Sequence, residues 1–319
     1  MPEATSFSKN PVVYFLSKSL ILLGMVLVFL SISSFAFTLI IQAIWDINIE
    51  QLTAIISNPN SIPNGILVLK LFQVFVSIGS FAIPAFMFSK AIGQNPFTFL
   101  NINKNGSLIN YVFILLIMLA SMPIISWLYS LNQQMSFPLQ FADWEQKIRE
   151  WENAASQQMQ LFISADSISV LLFNLFVFAV VPAITEEIFF RGCLQNFIRF
   201  SFKNIHASVI VSAFIFSAVH GQFYGFIPRF ALGLALGYSF AFSGSIWVCI
   251  AGHFLNNAVA LISSYILSKN SNFDFLKDDF AFPFYINLLS VLLCVGMLYW
   301  MYKQNLKTIL LTNNCKTDE

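Results

Sequence analysis

Charge is scarce in this sequence. Asp, Glu, Lys and Arg make up 10% of its 319 residues, against about a quarter in soluble domains. The net charge is +1 and no basic stripe occurs. That excludes the counterion release that drives nucleic-acid binding, so no nucleic-acid partner is expected. Cysteine is scarce too. Cys193, Cys249, Cys294 and Cys315 stand apart without CxxC spacing, which excludes a disulfide framework and a cysteine-based zinc site and leaves them as reduced packing residues. HExxH, GxSxG, Walker A and dinucleotide fingerprints are all missing. No internal repeat of the kind transporters show is found. The first apolar run, from Ser19 to Trp45, lacks a small-residue cleavage site and is too long for a signal peptide, so it reads as a retained first span.

What remains is apolar: 57% hydrophobic residues and a mean hydropathy of +0.74. Runs long enough to span a bilayer, about 20 residues, occur near 14–45, 68–90, 108–131, 166–190, 206–222, 228–243, 245–268 and 282–303. The expected fold is therefore an all-α polytopic membrane protein of about eight transmembrane helices. The fifth and sixth runs are short, which makes seven the competing count. Lys9, Lys18, Lys90, Lys104, Arg191, Arg199, Lys203, Lys303, Lys307 and Lys316 fall on one side of this arrangement, and the 46–63 loop carries no Lys or Arg. The positive-inside rule then puts both termini in the cytoplasm of a cell membrane. Lys70 and the 132–165 connection, with Lys147 and Arg149, are the exceptions. In that connection Phe141, Trp144, Ile148 and Trp151 recur at helical spacing, giving an amphipathic surface helix. It is read as an interfacial anchor, with a lid or substrate collar as the functional alternative. The membrane domain divides into N-terminal helices and the surface helix (1–164), a polar-residue-bearing core (165–268), and a last helix with a tail (269–319).

Between Ser167 and Leu267 the only formal charges are Glu186, Glu187, Arg191, Arg199, Lys203 and Arg229. A charge at the bilayer centre costs about 2.5–3.5 kcal/mol on insertion scales and needs a partner or a function. On a helix, residues four apart share a face, so Glu187 pairs with Arg191 while Glu186 projects about 100° away. An unpaired carboxylate in an apolar setting suits a general base. The structural alternative is a half-solvated membrane-edge anchor at the cytoplasmic end of the fourth helix. His220 and His253 also lie in apolar segments, and Asn257 follows His253 by four residues on the same face, ready to bind a carbonyl oxygen or to hold an imidazole tautomer. Glu186, His220 and His253 permit two chemistries: an open three-ligand zinc site, or direct polarisation of a water by Glu186 and His220 with His253, Asn257 and Arg191 stabilising the oxyanion. Both hydrolyse a peptide bond.

The stretches "EEIFFR" (186–191), "FSAVH" (216–220) and "HFLNN" (253–257) resemble the EExxxR, FxxxH and HxxxN motifs of the CPBP family. That family comprises type II CAAX prenyl endopeptidases and the Abi-like bacterial intramembrane proteases. The resemblance covers roughly 165–268. It implies an intramembrane endopeptidase whose catalytic cavity is built by the fourth to seventh helices, with Glu186 and His220 activating water, Glu187 and Arg191 supporting them, and His253 with Asn257 binding the oxyanion or a metal. Family members have been described both as metalloproteases and as glutamate-dependent enzymes, so zinc stays one of two routes. The substrate would be a membrane-anchored peptide or protein reached from the lipid bilayer. A non-catalytic bacteriocin-immunity-type or scaffold protein with the same fold is the alternative. "GLALGYSFAFSGSIWVCIAGH" (233–253) resembles the family's glycine-rich sixth helix and turn, and its small residues allow close helix approach. One tension follows from helix rise: His220 would lie about 20 Å along its helix and His253 some 10 Å along its own, deeper than glutamates at a helix end.

Overall fold

The computed structural model describes residues 11–270 and 280–314, with side chains at 12–270 and 280–304. Lys9, Cys315 and Lys316 lie outside the described residues, as does the side chain of Lys307. The described chain is helical, with no strand among the described residues. We number the main helices α1 (Pro11–Trp45), α2 (Ile49–Ser57), α3 (Gly65–Ala91), α4 (Leu108–Gln133), α5 (Ala142–Ile163), α6 (Ile168–Phe202), α7 (Ile205–Ala218), α8 (Phe226–Ser243), α9 (Ile246–Lys269) and α10 (Phe284–Asn314). Seven of these, α1, α3, α4, α6, α8, α9 and α10, are long and apolar enough to cross a membrane. The chain is thus an all-α integral membrane protein. The eighth expected span is α7, whose 14 residues rise only about 21 Å, short of the roughly 30 Å hydrocarbon core.

The chain folds into two compact units: 1–103 with 180–208, and 104–179 with 209–319. The first unit holds α1, α2, α3 and the C-terminal half of α6. Aromatic side chains form much of its interior: Phe197 meets Phe15 at 5.2 Å and Phe88 at 5.1 Å between ring centroids, and Phe81 meets Phe189 and Phe190 at 5.5 Å. Two polar links tie α6 down within it. The Ser77 and Thr185 hydroxyls share a buried 2.6 Å hydrogen bond, and Asn196 Nδ2 donates to the Phe99 carbonyl at 2.7 Å. Lys203, in the left-handed region (φ 51°), ends α6, and Asn204 Oδ1 accepts the Ala207 amide at 3.0 Å to start α7.

The second unit holds α4, α5, the start of α6, most of α7, and α8 to α10. Its connections gather at two ends. At one, Ser245 Oγ donates to the Lys104 carbonyl (2.8 Å). At the other, the 132–167 connection meets the turn after α7, and Ser126 Oγ of α4 donates to the Phe280 carbonyl before α10 (2.7 Å). The close approach expected from small residues is present. A Cβ on Gly252 would stand 2.5 Å from the Ile114 side chain, so α4 and α9 touch only because that position has none. Large apolar side chains such as Leu20, Phe35, Leu108 and Leu292 stay exposed, as lipid rather than water requires.

Candidate functional site

Two expected helix limits are corrected by the structure, and both bear on the site. α6 does not end near residue 190 but continues to Phe202. Asn196 is satisfied by the carbonyls of Phe99 and Gly192, and Gln195 is buried. Glu186 and Glu187 therefore sit near the middle of a 35-residue helix, about 24 Å along its axis from its C-terminal end, and not at the end of the helix. Conversely α7 ends at Ala218, so His220 lies on the turn that follows it and not inside a span.

The carboxylate segment belongs to the first unit. α6 is α-helical over Val181–Glu187 and opens into π-helical turns over Phe176–Val180 and Ile188–Gln195. Such turns are frequent at functional sites. Glu187 Oε1 accepts from Arg191 at 2.6 Å, with both side chains at 1% exposure or less. Glu186, one residue earlier, is only partly buried. The expected pairing of Glu187 with Arg191 is thus observed, and its cause is their four-residue separation on one helix.

The second unit holds His220, His253 and Asn257. His220 is exposed, with Nδ1 2.7 Å from the Phe216 carbonyl. A carbonyl only accepts, so Nδ1 carries the hydrogen, which in the neutral tautomer leaves the lone pair on Nε2. The Phe216 ring meets His220 edge-on at 5.1 Å and the buried His253 at 6.0 Å, and so touches both histidines. Asn257 Nδ2 donates to the Phe178 carbonyl at 3.2 Å and accepts from Asn256 at Oδ1. Phe178 is four residues before Pro182, which has no N–H to offer that carbonyl. Asn256 also lines a cavity of about 230 Å³ between α4, α8 and α9, with Met118, Ser121, Tyr129, Leu232 and Ser263 among others.

A polar cluster missed by the sequence reading surrounds the turn after His220. Glu152, buried on α5, accepts the backbone amides of Phe223 and Tyr224. Glu145 accepts from the Phe137 amide (2.7 Å), Arg149 Nε (2.9 Å) and the Tyr224 hydroxyl (3.1 Å). The Phe137 amide above all, then Arg149, holds the Glu145 carboxyl below its ordinary range, because each donor favours the charged form. Burial, aided by the carboxylate of Glu145, pushes the Tyr224 phenol up. The Arg149 guanidinium lies 3.9 Å from the centre of the Tyr224 ring. The signal was in the sequence: Glu145, Arg149 and Glu152 recur at spacings of four and three beside the aromatic face of α5. Only their partners, some seventy residues onward, were invisible.

Cys193, Cys249 and Cys294 are free thiols, as expected. Among the described residues no group of three His, Cys, Asp or Glu side chains is placed to hold a metal ion.

In a comparison with known families, residues 168–259 match the family described as Type II CAAX prenyl endopeptidase Rce1-like. The matched segment contains Glu186, Glu187, Arg191, His220, His253 and Asn257, and it supports the resemblance to the CPBP family of intramembrane proteases. No curated protein and no solved structure matched the chain.

Proposed function

We propose that the protein is an intramembrane endopeptidase that hydrolyses peptide bonds of membrane-associated substrates with a water activated by Glu186 and His220. The observation that carries this reading is the split between neighbouring glutamates. Glu187 is committed to Arg191 in a buried pair, and Glu186 leaves the helix on another face, partly exposed inside a membrane span. The match of this segment to a prenyl endopeptidase family supports the reaction class.

In the reaction, Glu186 takes a proton from water as its oxygen attacks the scissile carbonyl, and returns it to the departing amine. His220, with its lone pair at Nε2, orients that water. His253 and Asn257 supply hydrogen bonds to the oxyanion of the tetrahedral intermediate, and Arg191 holds Glu187 so that the helix presents Glu186 in one direction. The substrate is a membrane-anchored or lipidated peptide entering from the bilayer. The protein resides in the cell membrane; an arrangement with both termini in the cytoplasm would need α7 and the turn after it to complete an eighth crossing.

The test is cleavage of two probes by the purified protein in detergent: a farnesylated CAAX peptide and an unmodified membrane-spanning peptide. Glu186→Ala and His220→Ala each lose about 10²–10⁴-fold in rate, the range for a general base, and both remain folded. Undiminished cleavage by Glu186→Ala would sink the mechanism. Inhibition by a strong chelator, reversed by Zn²⁺, would move the chemistry to a metal. Failure of the folded wild type to cut either probe would favour the non-catalytic scaffold.

A further inference from the structure

We propose that Glu152 is a positioning residue for His220: reaching from α5, its carboxylate holds the backbone amides of Phe223 and Tyr224 and so fixes the turn on which the histidine rides. The inference rests on the reading that His220 acts in the reaction.

The His220 ring is exposed, with Nδ1 bonded to the Phe216 carbonyl at the end of α7, so the backbone of the turn sets whether that bond forms and where Nε2 points. That turn has few bonds of its own: the His220 and Gly221 amides reach back to Ser217 and Ala218 at 3.4 and 3.0 Å, and the Phe226 amide to Phe223 at 3.2 Å. The amides of Phe223 and Tyr224 go instead to one carboxylate, Glu152, at 2.5 and 3.2 Å. Two consecutive N–H groups converging on a carboxylate form an anion nest, with charge-assisted bonds roughly twice as strong as neutral ones. Around this anchor Trp151 packs under Gly221, whose φ of +66° and lack of a Cβ let the chain turn there. Gln133 Nε2 donates to the Tyr224 carbonyl (3.4 Å), and the Ile227 amide to Asn132 Oδ1 (2.9 Å). The amphipathic helix, read from sequence as an anchor or a collar, grips the candidate catalytic turn with its polar flank.

The experiment uses the full chain in phospholipid nanodiscs, comparing wild type, Glu152→Ala and Glu152→Gln. Three quantities are read: amide hydrogen exchange over 219–226, the ring resonances of His220 assigned against His220→Ala, and kcat and KM on the farnesylated peptide. In Glu152→Ala, exchange rises, the His220 ring resonances move, and kcat falls about 10²-fold, as expected for a misplaced catalytic group, with KM little changed. Glu152→Gln keeps one acceptor oxygen and recovers most of kcat. Should Glu152→Ala fail to fold, Glu152→Asp, one methylene shorter, serves the same comparison and gives a partial loss. Faster exchange with unmoved His220 resonances would reduce Glu152 to a loop tether and overturn the proposal. Wild-type protein that leaves the peptide uncut counts against the protease reading, and the ring resonances then decide the positioning role alone.

Discussion

Residues 186–191 and 220–226 are short stretches of similar length, each carrying a residue proposed for catalysis, and their order comes from different sources. In the first, the ion pair is set by its own helix, inside aromatic packing of Phe189 and Phe190 against Phe81. Glu187 and Arg191 meet because they are four apart, and they would meet in any helical setting that excluded water. The second has no regular structure to lean on. His220 follows the end of α7, Gly221 turns the chain at positive φ, and the next residues are held by Gln133, Glu145, Arg149 and Glu152 from distant sequence. A local rule secures one stretch and tertiary contacts secure the other, so the two should fail in different ways.

The largest effect on stability is expected from Arg191→Ala. It leaves the Glu187 carboxylate buried without its cation, and breaking a buried pair by removing one member costs about 3–5 kcal/mol. Denaturant unfolding in mixed micelles reads it. Replacing both partners, Glu187→Gln with Arg191→Met, should cost clearly less, since an apolar or neutral pair of similar volume avoids the stranded charge. If the single variant is as stable as wild type, the buried pair is not what holds the segment.

Gly221→Ala comes next and attacks the other stretch. At φ +66° an alanine is strained by about 1–2 kcal/mol, and its Cβ would stand 3.1 Å from the Trp151 ring. The loss should appear as faster amide exchange confined to 219–226 and a modest drop in melting temperature. Arg191→Ala should leave that exchange untouched. Spread of either effect into the other stretch would contradict the distinction between them.

The smallest effect is a pH dependence of the turn alone. Glu145 has its folded-state pKa held below the ordinary 4.5 by the Phe137 amide and Arg149. Its stabilising contribution is therefore complete above 4.5 and is lost as pH falls through the lower, folded value. Exchange over 219–226 should quicken in that acid window, and Glu145→Gln should abolish the dependence. Acceleration beginning well above pH 5 would assign the effect to another group.

Much of this was legible in the residues. Hydropathy located all seven long spans, and the scarcity of charge made the few buried ions conspicuous. The i, i+4 rule separated Glu187 from Glu186. Helix limits were less legible. Gln195, Asn196 and Arg199 look like an exit from the membrane, yet Asn196 finds carbonyl partners and α6 runs on. The apolar tract through Val219 looks like a helix interior, yet α7 stops at Ala218, where Ser217 Oγ donates to the Phe226 carbonyl beyond the turn (2.7 Å).

By itself, the sequence determined an all-α membrane protein, placed a paired and a second glutamate on one helix, and put His253 and Asn257 on one face of another, because helical periodicity and the cost of charge in lipid act over a few residues. Tertiary structure decided where α6 and α7 end, that the Asn257 amide goes to the Phe178 carbonyl, and that the surface helix grips the His220 turn. Those outcomes depend on which polar groups find partners, and the partners lie tens of residues away, beyond the reach of any local pattern.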